Sequence, residues 1–131
     1  MSAGKFDYIP YIIKKFKLSF YFKNIAIRPG KPILFAKFKG KQKAIFSLPG
    51  NPISSVACFR FFVFPYLQES LNVQQEKSIK AVLKNDFLKD KKFTRFVKSR
   101  AYTTKNGKLK VEILKGQESF KIQSFVKSNI W

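Results

Sequence analysis

An α/β unit followed by a small β unit is the architecture the sequence predicts, and three observations predict it. A short apolar run, Ala44 to Leu48, passes straight into Pro49-Gly50-Asn51-Pro52 and then a long apolar segment, Ile53 to Leu71, as a buried strand feeding a helix does. An earlier stretch carries apolar residues at helical spacing. Beyond Asn72 the pattern turns strand-like, with Leu109, Val111 and Ile113 alternating with Lys110 and Glu112 after an Asn106-Gly107 turn.

Taken in order, Asp7 reads as an N-cap, with Ile9, Ile12, Ile13 and Phe16 forming the stripe of an amphipathic helix. Lys14, Lys15 and Lys17 suit its last turn, where cations meet the negative end of the macrodipole. Phe20-Tyr21-Phe22 and Ile25 to Arg28 follow, then a turn at Pro29-Gly30-Lys31-Pro32 and a β-rich run from Ile33 to Phe38. Gly40 to Lys43 is a polar turn before the Ala44 to Leu48 strand. Asn51 and Pro52 are the expected N-cap and first residue of the long helix. Its aromatic content leaves little polar face, so it should be buried on several sides or lie under a partner. Pro65 inside it predicts a kink, with the Phe61 carbonyl losing its partner.

Gln74-Gln75-Glu76-Lys77 reads as a linker, which divides the chain into an α/β unit over 1–73 and a β unit over 74–131. In the latter, Ile79 to Leu83, Phe93 to Thr104 and Leu109 to Leu114 have strand-like content. Asn106-Gly107 predicts a two-residue hairpin. Ser119 to Val126 reads as a short helix and Asn129 to Trp131 as the start of a further strand. Both ends look cut, and an unfinished strand leaves an open edge, so the chain is read as a fragment.

Composition excludes several chemistries. There is no histidine, hence no Ser-His-Asp triad, no Cys-His dyad and no imidazole metal ligand. Cys58 is the sole cysteine and can make neither an internal disulfide nor a thiolate zinc site, so a metal would be hard and oxygen-bound. Cys58 itself reads as a core residue. Lys or Arg interrupts each apolar run short of the ~18 residues a spanning helix needs, and no leader pattern opens the chain. A reducing, cytoplasmic setting is the expectation.

The net charge of +20 admits an alternative, a basic nucleic-acid-binding module, since clustered cations release counterions from phosphates. Only Arg28, Arg60, Arg95 and Arg100 are arginines, and the charge is even: 12 basic and 2 acidic residues up to Asn72, 15 and 5 after it. A lysine-rich solvated surface is therefore the favoured explanation of the charge.

Ser47 to Ser55 is the most informative stretch. A strand, a proline-stiffened loop and a helix N-terminus offer backbone N–H groups to an anion, although the same loop can be no more than a well-capped helix. Lys31 and Arg28 could bring cations to that rim, or simply face solvent. Asp7 is the only carboxylate before Glu69, so a metal or acid-base role for the first half falls on it.

Three motifs in order then resemble one family. Ser2-Ala3-Gly4-Lys5-Phe6-Asp7 is similar to the second part of a Gly-Gly-x-Ser-x-Gly-x-x-Asp loop. Ile27-Arg28-Pro29-Gly30-Lys31-Pro32 matches an Ile-[Lys/Arg]-Pro-Gly-Lys-Pro turn, and Leu48-Pro49-Gly50-Asn51-Pro52-Ile53-Ser54 a Leu-Pro-Gly-Asn-Pro-x-Ser loop. These are motifs of the MoeA/gephyrin E-domain family, which inserts molybdenum into molybdopterin. The resemblance weakens after Leu71, where Gly116-Gln117, Ser119, Ser124 and Asn129 are similar to a late Ser-rich stretch and Glu118 replaces a usual glycine.

The resemblance implies the C-terminal half of a three-layer molybdopterin-binding α/β domain over 1–73, then an incomplete β-barrel-like domain over 74–131. It implies that adenylated molybdopterin and molybdate are the substrates and that, with Mg²⁺, the adenylate is cleaved to release AMP. It also implies a homodimer built by upstream domains, without membrane association. Ser2, Gly4 and Asp7 would serve the phosphate and metal side, with Asp7 the Mg²⁺ ligand. Arg28 and Lys31 would form the anion clamp, with Asp7 and Lys31 the catalytic pair. Pro49, Gly50, Asn51, Pro52 and Ser54 would face the ligand. The catalytic assembly of this chain alone is expected to be incomplete.

Overall fold

Side-chain alternation decides the first sheet. The computed structural model describes residues 8–88 and 90–131. Strand β1 (Leu18–Lys23) pairs antiparallel with β3 (Leu34–Phe38), and β3 with β4 (Ala44–Ser47), while β2 (Ile27–Arg28) lies outside this sheet. Successive residues of a strand point to opposite faces. Leu34 and Ala36 accordingly pack with Leu18 and with Ile13 of helix α1 (Ile9–Lys14). On the other face Phe35 stacks on Phe46 at 4.5 Å and meets the Tyr66 ring at 5.4 Å. Helices thus cover both faces of β3, the central strand. Tyr21 is the extra residue of a bulge, because Phe20 pairs with Ala36 and Phe22 with Phe35.

Two expectations at α1 need correction. The cap position falls at Tyr8, which makes no side-chain capping bond, and Asp7 lies outside the described residues. The helix ends at Lys14, so Lys17 is not in its last turn. Ile13 of its stripe is buried, whereas Ile12 and Phe16 are exposed, Phe16 meeting the Phe38 ring edge-on at 5.5 Å.

The long apolar segment is helical throughout, in three parts: α2 (Pro52–Cys58), a π-helical turn (Phe59–Val63) and α3 (Phe64–Ser70). Asn51 caps α2 as expected, its side-chain oxygen accepting from the Ser54 N–H at 3.3 Å. The π-helical turn directly precedes Pro65, with the Phe64 N–H donating to the Phe59 carbonyl. Widening the turn is how the helix accommodates a residue that lacks an N–H donor. Burial is concentrated in Ile53, Ser54, Ala57 and Cys58 of α2, whereas the π-helical turn and α3 contain no fully buried residue.

Val73 to Ala81 has no regular structure, and the expected linker lies within it. Only Val82–Leu83 (β5) of the run Ile79 to Leu83 is a strand, and Phe93 to Thr104 divides into β6 (Thr94–Arg95) and β7 (Ser99–Thr103). Strand β8 (Leu109–Ile113) pairs antiparallel with β7 and parallel with β5. The hairpin is wider than expected: Thr104 N–H donates to the Lys108 carbonyl, which leaves a three-residue loop with Gly107 at φ 74°. The expected helix shortens to α4 (Ile122–Val126), and the expected last strand is a single bridge from Ile130 to Ser99. The result is mixed α/β with several sheets and, among the described residues, no closed barrel.

Parallel pairing of β2 with β6 joins the two halves, and Phe61 stacks on Phe96 at 4.0 Å beside it. Ile27, Ile33 and Cys58 form the buried centre of this junction, with Leu48, Phe62 and Phe96 around them. Among the described residues no helix is long and apolar enough to cross a membrane.

Candidate functional site

Turn 29–32 is pressed against α2 so closely that only glycine fits at its centre. Gly30 has φ 110°, and a Cβ there would stand 2.6 Å from the Cys58 sulfur and 3.1 Å from Ile27 Cδ1. The Cys58 thiol in turn faces the Gly30 carbonyl at 3.6 Å. Burial pushes that thiol up from 9.0 to about 11, so it is a neutral packing group, as the sequence suggested, and no nucleophile. Seating Gly30 on α2 leaves Arg28 and Lys31 exposed on either side of it.

A cleft of about 800 Å³ opens in front of this turn. One wall is the turn itself with Ser54 of α2, and the other is the loop from Leu114 to Phe120. Arg28, Lys31, Arg95 and Lys115 line it against a single carboxylate, Glu118. Such an excess of cations in a concave site favours an anionic guest.

The far wall is held by a buried charge. Lys98 is only 2% exposed, and its ammonium donates to the carbonyls of Gly116, Glu118 and Lys121 at 2.7, 3.0 and 3.2 Å. All three of its protons thereby find acceptors. Burial lowers its pKa from the ordinary lysine value, and the Glu118 carboxylate opposes that shift. Gln117 completes the clamp, accepting from the Lys98 N–H at 2.9 Å and donating to the Lys98 carbonyl at 2.8 Å. Ser124 ties the Gly116 carbonyl to α4, while the Asn129 side chain pairs with both backbone groups of Ala101. Ser124 and Asn129 thus act on the backbone, whereas Ser119 lines the cleft.

The structure brings together three of the residues singled out from sequence, Arg28, Lys31 and Ser54. Pro49, Gly50, Asn51 and Pro52 do not line the cleft. Within their loop Pro49 is buried while Gly50 and Pro52 are exposed, Asn51 occupies the Ser54 N–H, and the Ser55 hydroxyl donates to the Pro49 carbonyl. Ser2, Gly4 and Asp7 lie outside the described residues. Sequence reading missed Arg95 and Lys98, which carry no local signal because their roles arise from pairing between distant segments.

Comparison with known proteins fits this geometry. Residues 1–69 match a family described as "Probable molybdopterin binding domain". The chain is 37% identical over 109 residues to the molybdopterin molybdenumtransferase of Staphylococcus aureus (strain COL), covering 82% of this chain and 26% of that protein. It is 35% identical over 109 residues to the molybdopterin molybdenumtransferase of Staphylococcus epidermidis, with the same coverage of each. The chain therefore spans about a quarter of the length of these curated relatives. Nothing in these matches supports the nucleic-acid alternative.

Proposed function

Because the chain belongs to the molybdopterin-binding-domain family matched over residues 1–69, we propose that it serves molybdenum cofactor biosynthesis and that its cationic cleft receives the oxyanion. The observation that carries this reading is the meeting of Arg28, Lys31 and Ser54 in one concavity, opposite a loop anchored by Lys98. In the reaction we infer, molybdate is inserted into adenylated molybdopterin and AMP leaves. Molybdate, the pterin phosphate and the departing adenylate are all oxyanions, so fixed cations and hydroxyl donors are what transfer between them requires. Lys31, at the apex of a turn locked by Gly30, is assigned to stabilise charge as it develops, and Arg28 to hold the ground-state anion. Ser54 supplies a hydroxyl at the same wall.

We assign the remaining roles on resemblance. Pro49, Gly50, Asn51 and Pro52 face the part of the ligand that extends beyond the cleft, Ser2 and Gly4 serve the phosphate, and the working assembly is a homodimer. Asp7 is assigned the Mg²⁺ ion. The described residues do not themselves fit that ion: they contain no cluster of three acidic, cysteine or histidine groups, and the cleft offers only Glu118.

The test is equilibrium binding to the purified chain. Molybdate and molybdopterin should each bind, and Lys31→Gln should weaken molybdate on the order of tenfold, the loss expected for a charge-assisted hydrogen bond, with an unchanged melting temperature. A parent chain that binds neither sinks the reading.

A further inference from the structure

A second cavity, of about 550 Å³, lies between the π-helical turn and the segment that follows α4, and it shares no lining residue with the cleft. Its size suits a small organic guest. Three aromatic rings wall it: Trp131 meets Phe125 edge-on at 5.7 Å and lies 6.3 Å from Phe61 at a tilt of 46°. Phe61 is braced on one face by the Phe96 ring, parallel to within 8° at 4.0 Å, so this wall is set before any guest arrives. Rings at such angles receive a further aromatic ring by offset stacking or edge contact. The polar side chains nearby are already spent. The Ser128 hydroxyl donates to the Phe125 carbonyl at 2.6 Å, and the Asn129 amide is bonded to both backbone groups of Ala101. Among the described residues, Arg60 is the one charged group lining the cavity. Its guanidinium rests over the Phe64 ring at 5.3 Å and donates through one nitrogen to the Glu76 carboxylate. Glu76 comes from the irregular stretch after α3, and the two side chains are 46% and 57% exposed. An ion pair that open to water contributes little, so its carboxylate exchanges readily with another.

We propose that this cavity binds a small aromatic carboxylic acid, its ring against Phe61, Phe125 and Trp131 and its carboxylate on Arg60 in place of Glu76. The ring wall favours a flat apolar body over a saturated one. The single cation favours one anionic substituent, and a planar guanidinium matches the two oxygens of a carboxylate. Glu76 is then an internal placeholder that keeps Arg60 occupied until a guest arrives. No residue of the cleft takes part, so this site stands independently of the molybdenum reading.

Titration calorimetry of the 131-residue chain at fixed ionic strength tests it, with naphthoate, the neutral naphthamide and the saturated decahydronaphthoate as probes. Naphthoate should bind about tenfold tighter than naphthamide, the gain of a charge-assisted contact, and tighter than the saturated acid. Arg60→Gln should abolish the preference for acid over amide while binding the amide as the parent does. Glu76→Gln should tighten naphthoate by about twofold to fivefold, the release of an exposed pair, and leave naphthamide unmoved. Phe125→Leu should weaken both aromatic probes. Saturating molybdate should not displace naphthoate, since the two cavities share no residue. Circular dichroism checks that each variant is folded, and should Arg60→Gln unfold, Glu76→Gln decides in its place. The site is overturned if the parent binds none of the probes, if it binds acid and amide alike, if Arg60→Gln keeps the preference, if Glu76→Gln leaves naphthoate affinity unchanged, or if molybdate competes.

Discussion

The two walls of the cleft are fixed by opposite physics. The near wall, turn 29–32, is held by steric fit: Gly30 lies against the Cys58 sulfur in a junction lined with Ile27, Ile33 and Phe62. The far wall, loop 114–120, has almost no such packing, and Phe120 is 69% exposed. Its shape comes from one ammonium and one amide, Lys98 and Gln117, satisfying backbone groups. Apolar fit tolerates no added atom but is indifferent to charge. A polar clamp tolerates volume but fails when one donor is lost. A rigid cationic turn facing a hydrogen-bonded loop suits a site that must hold an anion on one side and admit guests on the other.

The sharpest way to break this contrast is Gly30→Ala, which adds one methyl at φ 110° against sulfur. We expect roughly 2 to 4 kcal/mol of lost stability, from overpacking and backbone strain together. Adding Cys58→Ala should recover the overpacking portion and leave the strain. Thermal denaturation of the four corners of that cycle checks it, and strict additivity would refute steric contact as the cause.

The far wall should respond differently. Lys98→Met keeps the apolar stem, removes the three donated bonds and should cost about 1 to 3 kcal/mol. Faster amide exchange should be confined to residues 116–121 and absent from turn 29–32. Exchange spreading equally into both walls would show that they are not independent.

The smallest expected effect is on pH. The folded Cys58 pKa is raised, so the unfolded chain gives up its thiol proton first and binds fewer protons between 9.0 and about 11. Stability should therefore be intact below pH 9 and decline across that window. The lowered Lys98 pKa acts with the opposite sign, since there the folded chain loses its proton first. Comparison of the parent with Cys58→Ala isolates the thiol: the parent's decline should be steeper. Iodoacetamide should modify the native thiol slowly at pH 8 and rapidly in denaturant, and equal rates would contradict the burial.

Local signals in the chain were enough for the central strands and for the cap of α2. Asn51 before Pro52 defines a helix start by hydrogen-bonding chemistry that acts within three residues, and the structure contains it. The alternation of Leu34 and Ala36 against Phe35 likewise needs only the strand period to be read. Gly30 and Lys31 were legible as a motif, though its reason, the sulfur of a residue 28 positions away, was not. Pro65 announced a disruption, and the choice of a π-helical turn over a sharp break belongs to the whole helix.

By itself, then, the sequence determined the near wall, its cations and its family, because those depend on neighbours along the chain. Only the tertiary structure decided that Arg95 stands beside Arg28 and that Lys98 is spent on three carbonyls. Each is set by which distant strands pair and which backbone groups are left needing partners. Such quantities exist only once the chain has closed on itself.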